Sequence, residues 1–414
     1  MLYSLKLKNV EVFNNEIEFS MNADMRTKRF STNVINTLNN DIVKASAIYG
    51  PNNTGKTCFI RIIENIKNAI LKSNNSFNSN IHIEDTLIEI EISFIDVYRY
   101  IYSFSYDTSK KQYVFEKFSK AIKDKNNNEK IETLLEKSIS TNKYFCIDKK
   151  FESRMEYALK EQMIFNAINS SDCEIFNSEI KNKIVNFASK IEIVYMVNIP
   201  INKTIELLKS ESVYKKQIVD FIKHADLDLD DFKYDKDIQL IDQNKSLMKE
   251  EVLNNIPLIE QSRLISTYKG KEVPSLIYDS TGTKKIEALS SYIIEALNEG
   301  KILFIDEIDT SLHFKLTRAI ISMFINELNN KAQLIFTTHD LSLLDIKKLF
   351  RKEQIWFTDK DETGPIMYSL NKFTSGDAGI RETSDLVDMF KKGKIGAIPR
   401  PEFINSLLDI YDLE

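Results

Sequence analysis

Gly50-Pro51-Asn52-Asn53-Thr54-Gly55-Lys56-Thr57 is a complete phosphate-binding P-loop, and its flanks decide the fold. Ahead of it, Ala45-Ser46-Ala47-Ile48-Tyr49 is small and apolar, as a buried strand is. Behind it, Cys58-Phe59-Ile60-Arg61-Ile62-Ile63 opens a helix, and strand, glycine-framed loop and helix is the context the motif requires. Backbone N–H groups from Gly50 through Asn52, Asn53, Thr54 and Gly55 to Cys58 are expected to point at phosphate oxygens, where the helix dipole favours anions. Lys56 is placed to reach the β- and γ-phosphates of a nucleotide, and the Thr57 hydroxyl to ligate Mg²⁺. Gly50 and Gly55 supply dihedrals that residues with a Cβ resist.

A second constellation lies far downstream. Ile302-Leu303-Phe304-Ile305 is a short apolar run, which suits a strand buried on both faces of a sheet. Asp306 at its end is expected to hold Mg²⁺ through water, and Glu307 to orient or deprotonate an attacking water. Ala332 to Thr338 repeats the buried-strand pattern and ends in His339. A neighbouring strand would bring that imidazole close to Glu307, where it can hydrogen-bond a γ-phosphate. Lys56, Glu307 and His339 are therefore the expected catalytic residues, and Thr57 and Asp306 the expected metal ligands.

P-loop, Asp-Glu strand, Ser311-Leu312-His313 and the strand ending in Thr337-Thr338-His339 together resemble the ABC/SMC class of ATPases. Within that class the chain is similar to the single-chain bacterial AAA-type ATP-binding proteins of abortive-infection and other phage-defence operons. Asp279-Ser280-Thr281-Gly282-Thr283-Lys284-Lys285 resembles the shortened signature motif of that family, and Leu334 to Asp345 its switch-histidine segment. Gln354-Ile355-Trp356-Phe357 and Gly396-Ala397-Ile398-Pro399 resemble its C-terminal region. The likeness covers about residues 1–120 and 265–400. It implies an ABC-type head, a parallel sheet flanked by helices with an antiparallel β-subdomain, and ATP and Mg²⁺ as cofactors. It further implies that Ser280, Gly282 and Thr283 contact the γ-phosphate bound to a second protomer, so that each copy gives one P-loop and one signature to an isologous homodimer. Asp309 matches the segment that crosses the same interface. Thr283 stands where transporters carry a second glycine. The family's Mg²⁺-ligating glutamine has no clear counterpart; Gln112, in a hairpin-edge context, is the weak candidate.

Composition bounds the rest. The chain has 414 residues, 43% hydrophobic and 28% charged, so two or three globular units are expected. A formal net charge of −5 provides no global basic field for nucleic acid, while a local basic groove stays open. Cys58, Cys146 and Cys173 have neither CxxC spacing nor paired histidines, which argues against a zinc site and a disulfide framework. No apolar run approaches the length of a membrane span, and Leu5-Lys6-Leu7-Lys8 alternates where a secretory segment would be continuous. A cytoplasmic location follows as an expectation.

Three units are expected. Residues 1–123 form lobe I: an N-terminal hairpin, the P-loop, a helix to about Lys72, and an antiparallel block with alternating Ile88, Ile90, Ile92 and Phe94, then Tyr100, Tyr102, Phe104 and Tyr106. Its aromatic stripe reads as sheet core in preference to a base-stacking platform. Residues 124–265 read as a helical insertion with a loop at Asn126–Asn128. Asp226, Asp228, Asp230 and Asp231 there lack the glycine and terminal Glu of an EF-hand and read as a solvated turn. Residues 266–414 form lobe II, with strands alternating with helices as a parallel sheet requires, and a polar tail ending in Asp409 to Glu414.

The function this points to is a nucleotide-driven dimer switch in an anti-phage system. ATP closes the heads, hydrolysis opens them, and the insertion passes the change to a partner. No fused ribonuclease motif and no appended domain is visible, so the toxic activity is expected on a separate effector from the same operon. The alternative is a RecF-like DNA-repair ATPase with DNA across the dimer, for which the chain offers no evident basic arm.

Overall fold

Every residue of the strand before the P-loop is buried, which places it in the middle of a sheet. The computed structural model describes the chain except residues 25, 38–39, 81–82, 124–128, 211–212, 226, 237–259, 374–378, 381–383 and 399–414. The expected loop at Asn126–Asn128, the residues Asp226 and Pro399, and the tail Asp409 to Glu414 lie outside the described residues.

Strands β1 (Leu2–Lys8) and β2 (Ile17–Ser20) make the N-terminal hairpin, and β3 (Val34–Asn36) and β4 (Asp41–Val43) a short ribbon before β5 (Ala45–Tyr49). β6 (Leu87–Ile95), β7 (Arg99–Asp107), β8 (Gln112–Lys123), β9 (Glu129–Ser138) and β10 (Lys143–Cys146) form a meander. Together with the hairpin they build a seven-stranded antiparallel sheet in the order β10-β9-β8-β7-β6-β1-β2. Next come β11 (Ile191–Tyr195), then β12 (Asp231–Tyr234), β13 (Leu264–Tyr268) and β14 (Lys271–Pro274), the last three forming a small antiparallel sheet. The chain continues with β15 (Ile302–Asp306), β16 (Gln333–Thr337), β17 (Ile355–Asp361) and β18 (Gly364–Ser369). The central sheet runs β11-β15-β16-β5-β17-β18, parallel throughout except for the edge strand β18.

Alternation along the central strands sends side chains to two separate cores. Ile48, Phe304, Ile335 and Trp356 face the helix Lys56–Lys72, whose Phe59, Ile62 and Ile66 also meet the antiparallel sheet. Ala47, Ile305, Leu334 and Phe336 face the helices Thr281–Glu299 and Phe314–Ile325. A parallel sheet covered on both faces follows, the α/β ATPase-head architecture expected from the alternation of strands and helices. Phe19, 5.2 Å from Phe59 and 5.0 Å from Trp356 between ring centroids, locks the P-loop helix between the two sheets.

Three expectations need correction. The antiparallel sheet does not stop at 123: β9 and β10 extend it. Their Glu- and Lys-rich sequence reads as helix, but Leu135 and Lys137 are buried, and the Lys137 ammonium lies 3.2 Å from the buried Glu116 carboxylate on β8. Only a partner strand makes that lysine tolerable inside. The helical insertion is narrower than 124–265, with helices such as Asn182–Ser189, Asn202–Lys209 and Val213–Lys223, and Ile191–Tyr195 within it joins the central sheet. Finally, the helix expected between β16 and β17 shrinks to single 3-10 turns at Leu341–Leu343 and Lys352–Gln354. Asp340 accepts from the Ser342 N–H at 2.8 Å, and Asp345 from the Lys347 and Lys348 N–H groups at 2.9 and 3.0 Å. These local bonds compete with a regular helix.

Candidate nucleotide site

The loop after β5 can adopt its path only with glycine at two points. A Cβ at Gly50 would lie 2.1 Å from the Thr358 hydroxyl, and one at Gly55 would lie 2.7 Å from the Phe13 ring. Gly55 also has φ +99°, and Asn53 takes φ +61°, the left-handed region that asparagine tolerates. Thr54 is buried and pins the loop through the Pro51 carbonyl and the Thr358 hydroxyl, at 2.8 and 2.7 Å. Asn52 and Asn53 are exposed. Cys58 is half-buried in the first turn, with its Sγ 3.3 Å from the Arg61 guanidinium.

Gly55 caps the P-loop helix without any side-chain hydrogen bond. The first-turn N–H groups are thus left for an anion. Lys56 is buried, and its ammonium donates to the Gly50 and Pro51 carbonyls at 2.7 and 2.8 Å. Burial lowers its pKa from the usual 10.5, against the pull of Asp306, Glu307 and Asp309.

β15 and β16 bring the acidic pair to this loop. The Thr57 hydroxyl donates to one Asp306 oxygen at 2.8 Å, and the Thr337 hydroxyl donates to the other at 2.6 Å. Thr337 Oγ1 also accepts from the Glu307 N–H at 2.7 Å, which holds the strained turn where Glu307 takes φ +55°. Thr310 donates to Glu307 Oε2 at 3.2 Å. Asp309 accepts from the His339 backbone N–H at 3.3 Å. Partial burial and the Lys56 ammonium keep the His339 imidazole below its usual 6.5, in spite of Asp309, Glu307 and Asp306, so it is neutral at pH 7. The structure thus brings Lys56, Thr57, Asp306, Glu307 and His339 together.

A buried carboxylate touching an exposed hydroxyl, beside uncapped N–H donors and a lysine, fits Mg²⁺ with a polyphosphate. Thr57 and Asp306 would hold the metal, and the backbone from Gly50 to Cys58 the phosphates. Among the described residues no cluster of three or more His, Cys, Asp or Glu suggests another metal centre, and the three cysteines are free.

The signature segment is built differently. Ser280 is the N-cap of the helix Thr281–Glu299, which begins two residues before Thr283, and its hydroxyl accepts from the Thr283 N–H at 3.1 Å. Gly282 packs where a Cβ would lie 3.0 Å from the Ser311 carbonyl, and Lys285 donates to the Thr310 carbonyl at 3.2 Å. The signature therefore rests on the segment following Glu307. Thr281, Lys284 and Lys285 line a cavity of about 240 Å³, separate from the cavity beside the P-loop. Beneath Ser280, Asp279 accepts from Tyr268 at 2.8 Å and from Ser266. The neighbouring Glu287 carboxyl is almost wholly buried, and that burial, with Asp279 beside it, pushes its pKa well above 4.5.

Gln112 opens β8 opposite Asp107, on the hairpin edge of the antiparallel sheet. Two residues escaped sequence reasoning. Thr337 ties Asp306 to Glu307, and Thr358 braces the P-loop; both are buried threonines, one at the end of β16 and one in the middle of β17, where only the sheet order reveals the contact. No helix of the described residues is long and apolar enough to cross a membrane.

A family model described as "AAA domain, putative AbiEii toxin, Type IV TA system" matches residues 45–345. Among solved structures, the chain is similar to "Crystal structure of the SmcHead bound to the C-winged helix domain of ScpA", at 11% identity over 89% of this chain and 97% of that one, with a TM-score of 0.45. It is also similar to the "SMC head domain from Thermotoga maritima", at 11% identity over 89% and 98%, with a TM-score of 0.39. No curated protein matches.

Proposed function

Because the chain belongs to the family described as an AAA domain, putative AbiEii toxin of a Type IV TA system, we propose that it is an ATP-hydrolysing dimer switch of the ABC/SMC-like AAA type. The observation that carries this is the hydroxyl–carboxylate relay Thr57–Asp306–Thr337, which reaches the Glu307 backbone. It couples the phosphate cradle to the backbone of Glu307, the residue this reading makes the base. In this reading Glu307 orients water and accepts its proton, and Lys56 holds the outer phosphates. Neutral His339 donates a hydrogen bond to the terminal phosphate. Mg²⁺ held by Thr57 and Asp306 would neutralise phosphate charge.

The second half of each site comes from another copy. Ser280 and Thr281 are exposed, and Tyr278 beside them is 59% exposed, so this turn is available to a symmetric mate. Closure on ATP and opening on hydrolysis would then be passed to a separate effector in a phage-defence setting; the family description supports the toxin–antitoxin part of this reading.

Glu307→Gln tests this. Phosphate release should fall by about 100-fold or more, and ATP should hold the variant as a dimer in analytical ultracentrifugation. An unchanged hydrolysis rate removes Glu307 from the mechanism.

A further inference from the structure

The cavity beside the P-loop has a wall that the nucleotide reading leaves unexplained. It measures about 1050 Å³, and Gly50, Pro51, Asn52, Thr338 and His339 form one side. That is ample for the outer phosphates of a nucleotide. The other side comes from the end of β17 and from the strap Leu386–Ile398, and includes Lys360, Lys391 and Lys392.

The strap is fixed to the sheet that carries the P-loop. Leu386, Ile395 and Ala397 are buried in the core beneath the central sheet, and the Phe390 ring lies 6.2 Å from that of Phe357. The Ala397 N–H donates to Asp359 at 2.6 Å, and the Tyr368 hydroxyl to the Ile395 carbonyl at 2.8 Å. Gly396 makes the close approach possible: with φ +72°, a Cβ there would lie 2.5 Å from the Tyr368 hydroxyl. One residue before Asp359, Thr358 braces Thr54 in the loop. The strap and the P-loop are thus held by consecutive residues of β17.

We propose that this strap is a second wall of the nucleotide site, and that Lys391 and Lys392 bind the outer phosphates of a nucleoside triphosphate seated in the P-loop. The inference rests on the P-loop reading above. The chemistry is simple. The outer phosphates carry the highest charge density of the ligand, and two ammonium groups from the strap face the same cavity as the Gly50–Asn52 side of the loop. Lys392 meanwhile pairs with Asp388 at 2.7 Å, an exposed contact that an anionic ligand displaces at small cost.

The test is binding of ATP with Mg²⁺ by calorimetry, on the full chain, for three variants. Lys391→Ala/Lys392→Ala should weaken ATP on the order of ten-fold, and Lys391→Arg/Lys392→Arg should restore it. Parent-like ATP affinity in the double alanine variant overturns the proposal, as does failure of the arginine pair to restore binding. Lys56→Ala separates the two readings. If it abolishes binding while the double alanine variant binds normally, only the strap assignment falls. If the unaltered chain binds no nucleotide, both fall.

Discussion

Two helices begin at positions assigned to phosphate contact, and they begin in opposite ways. The P-loop helix starts behind Gly55, which offers no side-chain oxygen to its first turn. The signature helix starts behind Ser280, which caps Thr283 with its own hydroxyl. One helix N-terminus is open and the other closed. An open terminus leaves backbone donors that only a ligand satisfies, and places them in the field of a buried lysine. A capped terminus has one first-turn donor, the Thr283 N–H, already met within its own chain, and can lend a hydroxyl to a neighbour without depending on it. The ground beneath each differs in the same sense. The P-loop is braced by Thr358 and Phe13, whereas the signature sits on the Asp279–Glu287 carboxyl pair, with Ser266 and Tyr268 donating to Asp279 and Ser275 to Glu287. Anion binding should therefore stabilise the first region strongly and the second hardly at all.

The comparison breaks first at Lys56. Lys56→Ala should weaken ATP on the order of 100-fold and abolish the rise in Tm that ATP gives the parent. Calorimetry and a thermal melt check both. Parent-like affinity would mean that the open terminus is not where the phosphate goes.

A second test examines the closed region through pH. Glu287 has a folded pKa well above its unfolded 4.5, so it favours folding fully below pH 4.5 and loses that contribution as pH rises towards the folded value. In the parent this costs up to about 1.4 kcal/mol per pH unit. Glu287→Gln removes the slope, and the variant should gain on the parent between pH 5 and pH 8 in urea unfolding. Parallel pH profiles would show that the carboxyl pair is not a constraint on the signature turn.

The smallest effect sharpens the contrast. Ser280→Ala removes the cap and should destabilise by about 1 kcal/mol. Ser280→Asp keeps the cap, and so should restore stability. If hydrolysis recovers with stability in the Asp variant, Ser280 is only a cap. If stability returns while hydrolysis stays low, its hydroxyl serves a phosphate outside its own chain.

Much of this was written along the chain. The P-loop, the Asp306-Glu307 strand end and the His339 strand end are short local patterns. Each needs only a buried strand and the residues following it, and Ala45–Tyr49, Ile302–Asp306 and Gln333–Thr337 are all fully buried, as their runs of apolar residues require. The hairpins of the antiparallel sheet were equally visible where side chains alternate. Visibility failed where burial depends on a distant partner. β9 reads as a charged helix because its Lys137 is neutralised by Glu116, on a strand that sequence cannot align with it. β11, with Glu192 interrupting its apolar residues, lacks the continuous apolar run that marks its neighbours in the central sheet.

The sequence alone determined which chemistry is present: a glycine-framed cradle, a lysine, a hydroxyl, two carboxylates and an imidazole, each at a strand end. Only the tertiary structure decided how they act together. The order β15-β16-β5-β17 sets strands far apart in the chain side by side, so Thr337 can bridge Asp306 to Glu307, Thr358 can brace the loop, and the strap Leu386–Ile398 can line the cavity beside it. Local patterns are fixed by the dihedral and burial preferences of a few neighbouring residues, whereas strand order and register come from packing the whole chain.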